Sequence, residues 1–226
     1  WFTWANAAID AAEFERQHEP RETPDPWAFS GIGTEGELGF GPDESCIGQT
    51  MELSPVRLRR SNLALLAATG GQPVEVTAQS YKVGNSELPI SWEARDMSWE
   101  LLAEGELAFG EPGTISFTPE EDGIYALSLN SGGSAMTLNS SNVPIGIYGG
   151  RGMRTIGGPW QLYFHVPEGT KSLSITGRGW QQETVRINIY DPSGEMVATD
   201  QSTPTDSVAT AEVEVAEGAD DAIWTL

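Results

Sequence analysis

The sequence predicts an all-β protein built from antiparallel sandwiches, and three observations predict it. Apolar and polar residues alternate in short runs, most clearly at Trp160–Val166, Ser172–Thr176, Thr184–Tyr190 and Met196–Thr199. A period of two is that of a strand with one face buried. Turn chemistry separates the runs, as in Pro167-Glu-Gly and Asp191-Pro-Ser-Gly. Finally, 26 Gly and 14 Pro break the chain often enough for many short strands and few helices.

Taken in order, residues 1–50 stand apart. Trp4, Ala8, Ala11, Ala12 and Phe14 fall near helical spacing in an Ala-rich stretch free of Gly and Pro, which predicts one helix ended by Pro20. A Pro-stiffened segment follows, Glu19 to Trp27, and then the Gly-rich stretch Gly31 to Pro42. That stretch lacks the Lys-Ser/Thr ending of a phosphate loop and its flanks are acidic, so it reads as an irregular linker.

From residue 51 the pattern is strand after strand. Residues 51–132 are expected to form a first β-sandwich module. In it, Ile115-Ser-Phe-Thr-Pro-Glu-Glu-Asp-Gly-Ile-Tyr-Ala-Leu carries a turn and a tyrosine placed like the corner residue of an Ig-like sandwich. Asn130-Ser-Gly-Gly-Ser reads as a seam. Residues 133–226 then hold eight further short strands, the count of a second sandwich or jelly roll.

Composition limits the partners. Twelve basic against 33 acidic residues leave a net charge of −21, and Lys82 and Lys171 are the only lysines. Such a surface repels nucleic-acid phosphates and anionic membranes, and the sequence holds no apolar run long enough for a transmembrane helix. The single Cys46 cannot form an intrachain disulfide, which is compatible with export. The chain starts without Met and stops at Ile223-Trp-Thr-Leu inside a strand-like run, so the expectation is a piece of a longer protein.

No catalytic constellation is legible. The two histidines, His18 and His165, read as surface or structural, and Cys46 has no adjacent cation to lower its pKa. Two His and one Cys far apart in sequence do not spell a zinc site. Calcium is the one structural ion the carboxylates allow, with Glu120, Asp122 and Asp191 as the candidate ligands. Each of these sits in a turn, where a solvated carboxylate is the bland reading.

The stronger signal is aromatic. Eight Trp is a high count, and flat indole rings stack on the apolar faces of sugar rings while polar neighbours read the hydroxyls. Trp180 leads, because Gly177-Arg-Gly-Trp-Gln-Gln-Glu is a loop between two good strands and supplies Arg178, Gln181 and Gln182. Trp160 and Tyr148, each beside a Gly pair, come second. Trp92 and Trp99 read as core or interface fillers.

Two blocks carry a resemblance: "LYFHVPEGTKSLSI" at residues 162–175 and "ETVRINIYDPSGEMV" at residues 183–197. They resemble β-sandwich modules appended to large bacterial carbohydrate-active proteins. Residues 51–132 resemble the Ig-like spacer modules of such proteins. The resemblance rests on turn-and-strand grammar over residues 51–226. It implies a secreted or cell-surface, non-catalytic region that binds polysaccharide or positions a neighbouring catalytic domain. Two alternatives stay open: a purely structural module docked on another domain or subunit, and a jelly-roll lyase or hydrolase.

Overall fold

The computed structural model describes residues 50–149, 152–180 and 182–226 in full, and residues 3–9 and 37–39 by their backbone. Every element described is a strand. In chain order they are β1 (Thr3–Ile9), β2 (Glu37–Gly39), β3 (Met51–Glu52), β4 (Leu58–Ala68), β5 (Val74–Tyr81) and β6 (Ile90–Arg95). There follow β7 (Leu101–Leu107), β8 (Gly113–Phe117), β9 (Gly123–Ser141), β10 (Ile145–Tyr148), β11 (Met153–Thr155) and β12 (Tyr163–Val166). The last five are β13 (Ser172–Arg178), β14 (Arg186–Tyr190), β15 (Met196–Gln201), β16 (Val208–Glu214) and β17 (Ala222–Thr225). All named pairings are antiparallel.

The organising element is β9. At 19 residues it is far longer than an ordinary strand, and it serves two sets of partners. Its first half lies between β4 and β6, and its second half beside β5 and β3. The change occurs at Ser131–Ser134. Gly132 takes φ +56° there, and the Ser131 hydroxyl donates to the Ser134 carbonyl at 2.9 Å. The facing strand bends with it: β4 slips register between Arg59 and Ser61, and Arg60 adopts φ +56°. Arg59 Nη2 donates to the Gly133 carbonyl at 2.6 Å and ties the two irregularities together. A bulge opposite a glycine kink is how one strand can turn a corner between sheets.

The boundary expected at 132/133 falls at this bend, inside a continuous strand. Ladders also cross it, because β4 pairs with β10 and meets β11 at Leu58–Thr155. One buried apolar cluster runs from Leu53 to Trp224.

The predicted strands are present with boundaries shifted by a few residues, but two local readings change. Where helical spacing predicts a helix, residues Thr3–Ile9 form a strand paired with β11 and β13. An Ala-rich helix of this length is marginal by itself, and an open strand edge offers it a full ladder of hydrogen bonds. The rest of that prediction lies outside the described residues. The turn Pro167-Glu-Gly joins strands that do not pair with each other: β12 pairs with β17, and β13 with β16 and β1. By contrast Asp191-Pro-Ser-Gly closes a true hairpin, β14–β15. Both turns carry Gly in the left-handed region, Gly169 at φ +85° and Gly194 at φ +84°, so turn residues alone do not reveal which ladder a strand joins.

The corner residue behaves as its spacing predicts. Tyr125 is buried, and its hydroxyl donates to the Glu121 carbonyl four residues upstream at 2.6 Å. Burial pushes the phenol pKa up.

Candidate functional site

Two of the grooves among the described residues are built differently. The larger, about 950 Å³, lies on the outer face of β4, β6, β7 and β9. Period-two geometry decides what lines it. Ser91 and Glu93 face outward while Ile90, Trp92 and Ala94 face the core. The register sets Ser91 opposite Glu106 and Glu93 opposite Glu104, so three carboxylates share the outward face on the two rungs that flank Trp92–Gly105. Arg95 neutralises part of this, its Nε and Nη2 donating to Glu93 Oε2 at 3.0 and 2.8 Å. Tyr148 and Arg154 stand on the other wall. Trp92 is 9% exposed and packs on Gly105, where a Cβ would come within 2.8 Å of Trp92 Cζ2.

The second groove, about 690 Å³, exists because β14 is paired unequally. One side of β14 carries a full ladder to β15, and the other meets β17 only at Tyr190–Thr225. Trp160 walls the gap that remains. Gly157 and Gly158 wrap its indole closely: a Cβ on Gly157 would touch Cζ2 at 3.4 Å. The Trp160 Nε1–H is buried and has no hydrogen-bond partner. An orphaned buried donor costs about 1–3 kcal/mol, so such a group calls for an explanation. Arg186, Asn188 and Tyr190 alternate along β14 and share one face, with Ile187 and Ile189 on the core side. Arg186 Nε donates to Gln201 Oε1 at 2.7 Å, and the Thr199 hydroxyl donates to Asn188 Oδ1 at 2.8 Å.

The sequence-predicted residues are therefore dispersed. Tyr148 lines the larger groove and Trp160 the smaller. Arg178 ends β13 and Trp180 and Gln182 lie on the loop after it, all three exposed, while Gly177 of β13 lines the smaller groove. Trp180 is 51% exposed. Gln181 lies outside the described residues, as do Cys46, His18 and Trp27.

Arg186, Asn188 and Tyr190 were not singled out from the sequence. Their signal was there, since they are the polar-face positions of the strongest alternating run. What no linear pattern shows is that this face meets a gap.

The carboxylates named as calcium candidates, Asp191, Asp122 and Glu120, all lie in turns. Asp191 Oδ1 accepts from the Ser193 hydroxyl at 2.6 Å and from the N–H groups of Ser193 and Glu195. The Ser193 hydroxyl, with those backbone donors behind it, keeps the Asp191 carboxyl below the usual range. Asp122 Oδ1 accepts from Gly70 N–H at 2.8 Å, and Glu120 is exposed. Among the described residues no three His, Cys, Asp or Glu side chains converge as metal ligands. His165 Nε2 lies 3.2 Å from Asp221 Oδ1 at the surface, on the face of β12 away from Phe164 and Val166.

Of the two readings for Trp99, core and interface, the structure removes the first. Trp99, expected to fill a core or an interface, is 49% exposed at the β6–β7 tip with φ +69°. Its surroundings hold it there: Arg95 Nη1 donates to the Trp99 carbonyl at 2.9 Å, and Asp96 Oδ1 accepts from Glu100 N–H and the Ser98 hydroxyl. Met97, Leu101 and Leu102 are exposed beside it. Leu101 and Leu102 are consecutive in a strand and face opposite sides, so the tip is covered on neither face.

No family model and no curated protein matches this chain. Among solved structures it is similar to an FMN-binding β-glucuronidase from Facaelibacterium prausnitzii L2-6, at 12% identity and a TM-score of 0.21. A β-glucuronidase from Ruminococcus gnavus is similar at 9% identity, and latent PorU from Porphyromonas gingivalis at 10%, both with a TM-score of 0.21. The alignments cover 96%, 95% and 100% of this chain but only 33%, 38% and 20% of those chains. At such scores the likeness to these bacterial proteins carries no argument about activity.

Proposed function

We propose that this chain is a secreted or cell-surface, non-catalytic accessory region of two coupled β-sandwich modules, residues 51–132 and 133–226, and that it binds carbohydrate at the Trp160 groove. The Tyr125 corner bond and the bent strand β9 support the sandwich reading. The single observation that carries the binding reading is the groove itself. It joins an aromatic wall to a row of polar side chains on one strand. A shallow saccharide site needs those two ingredients. Arg178 at the end of β13 and Trp180 on the loop after it extend the surface.

Binding of a polysaccharide panel by affinity electrophoresis tests the reading. The chain is expected to be retarded by at least one polysaccharide, and Trp160→Ala to abolish the retardation with an unchanged far-UV CD spectrum. Retardation by none of the panel, or full retardation of Trp160→Ala, rejects the site. Turnover of a retarding polysaccharide by the chain rejects the non-catalytic assignment.

A second reading draws on the β6–β7 tip. An apolar cluster locked by Arg95 and Asp96 suits docking on a neighbouring domain of the same polypeptide, and it leaves the Trp160 groove free to act.

A further inference from the structure

The two grooves have opposite electrostatic character. The larger has Glu93, Glu104 and Glu106 in its wall. The Trp160 groove has no Asp or Glu among its described lining residues, although 33 of the chain's 226 residues are acidic. Its charged side chain is Arg186.

Its hydrogen-bonding groups include Arg186 and Asn188 beside the hydroxyls of Thr155, Thr184, Tyr190 and Thr225. The Arg186 Nε bond to Gln201 orients the guanidinium, and the two Nη groups have no carboxylate partner among the described residues. Asn188 uses its Oδ1 to accept from Thr199, so its amide Nδ2 is the end left for a ligand. Sugar hydroxyls can accept from these groups, but they leave the guanidinium charge uncompensated. A carboxylate or sulfate brings acceptors only, and the planar guanidinium fork matches either one with two parallel bonds.

We infer that the Trp160 groove binds a sugar bearing an anionic substituent, a uronate carboxylate or a sulfate ester, with Arg186 on the anionic group and Trp160 against the ring. The inference rests on the carbohydrate reading of the same groove and adds the class of sugar. The chain's charge of −21 does not forbid it. At physiological ionic strength the Debye length is about 8 Å, so repulsion from distant carboxylates is screened while the direct guanidinium contact is kept.

Matched pairs of oligosaccharides test it by titration calorimetry at about 0.15 M salt. One pair is oligogalacturonate and its methyl ester; the other is a sulfated galactan oligomer and its desulfated form. The two pairs separate carboxylate from sulfate as the source of the charge. One anionic member is expected to bind about tenfold or more tightly than its neutral twin. Arg186→Gln should bring that affinity down to about the twin's; Arg186→Lys should recover part of the gap.

A neutral twin that binds as well as its anionic partner overturns the inference and leaves the carbohydrate reading standing. A preference that survives Arg186→Gln also overturns it. Absence of binding by every oligosaccharide overturns both, and tight binding of poly-glutamate in their place assigns the groove to acidic peptide instead. Arg186 is an exposed side chain on an edge of the β14–β15 hairpin, so its variants are expected to melt as the parent does.

Discussion

Two tryptophans in this chain are in opposite hydrogen-bonding states, and one substitution made at both sites separates them. Trp224 is 1% exposed, packs on Phe164 at 6.3 Å between ring centroids, and donates from Nε1 to the Ala219 carbonyl at 2.8 Å. Trp224→Phe removes half of the indole from a packed core, at about 1–2 kcal/mol, and strands the Ala219 carbonyl, at about 1–3 kcal/mol. The expected loss is about 2–4 kcal/mol. Trp160 is half-buried and its Nε1–H has no acceptor. Trp160→Phe loses at most about 1 kcal/mol of packing, because the ring is only partly covered. It also deletes the orphaned donor, which restores about 1–3 kcal/mol. This variant should be no less stable than its parent. The two proteins should therefore differ by at least about 2 kcal/mol, close to 1 M in urea midpoint for a chain of this size. Urea titration followed by far-UV CD measures this, with the slope checked for constancy. Equal destabilisation at both sites would show that the Trp160 N–H is satisfied in the folded protein.

Three further outcomes follow from particular contacts. Gly105→Ala should cost about 1–3 kcal/mol, because the new Cβ would lie 2.8 Å from Trp92 Cζ2; a melting curve no lower than the parent's would contradict the packing. Trp180→Ala should shift stability by less than about 0.5 kcal/mol, since the side chain is 51% exposed, so any lost glycan retention in that variant reports contact and not unfolding. The Asp191 and Asp96 carboxyls are held low, chiefly by the Ser193 and Ser98 hydroxyls and then by backbone donors. Their stabilising contribution is thus present above the unfolded carboxyl pKa near 3.9, and it is lost as pH falls through the lower folded values. Carboxyl NMR titration should place both below that figure, and Asp191→Asn should weaken this acid dependence at the β14–β15 turn; an unshifted Asp191 would refute it.

The alternation between residues 160 and 226 was readable as strands because side-chain direction in a strand depends only on position along it. Ile187 and Ile189 had to face one way, and Arg186, Asn188 and Tyr190 the other. Tyr125 could be anticipated for the same reason, since its bond to Glu121 closes over four residues. Thr3–Ile9 went the other way. Its helical spacing is a weak local preference, and the decision lay with an edge formed by β11 and β13 more than a hundred residues later. The candidate site fared similarly. Trp160 was recognisable as a flat ring next to glycines, yet Tyr148, Trp180 and Trp160 could not be sorted among separate surfaces by inspection of their neighbours.

Turn residues and period-two patterning act over a few positions, so the all-β character, the acidic surface and most strand limits belong to the sequence alone. Which strand lies beside which is settled by long-range pairing that no short pattern encodes. The bend that lets β9 serve two sets of strands, and the gap left where β14 meets β17 at a single point, arise from that pairing. Both grooves, and with them the contrast between a wall of glutamates and a wall without any, exist only in the folded molecule.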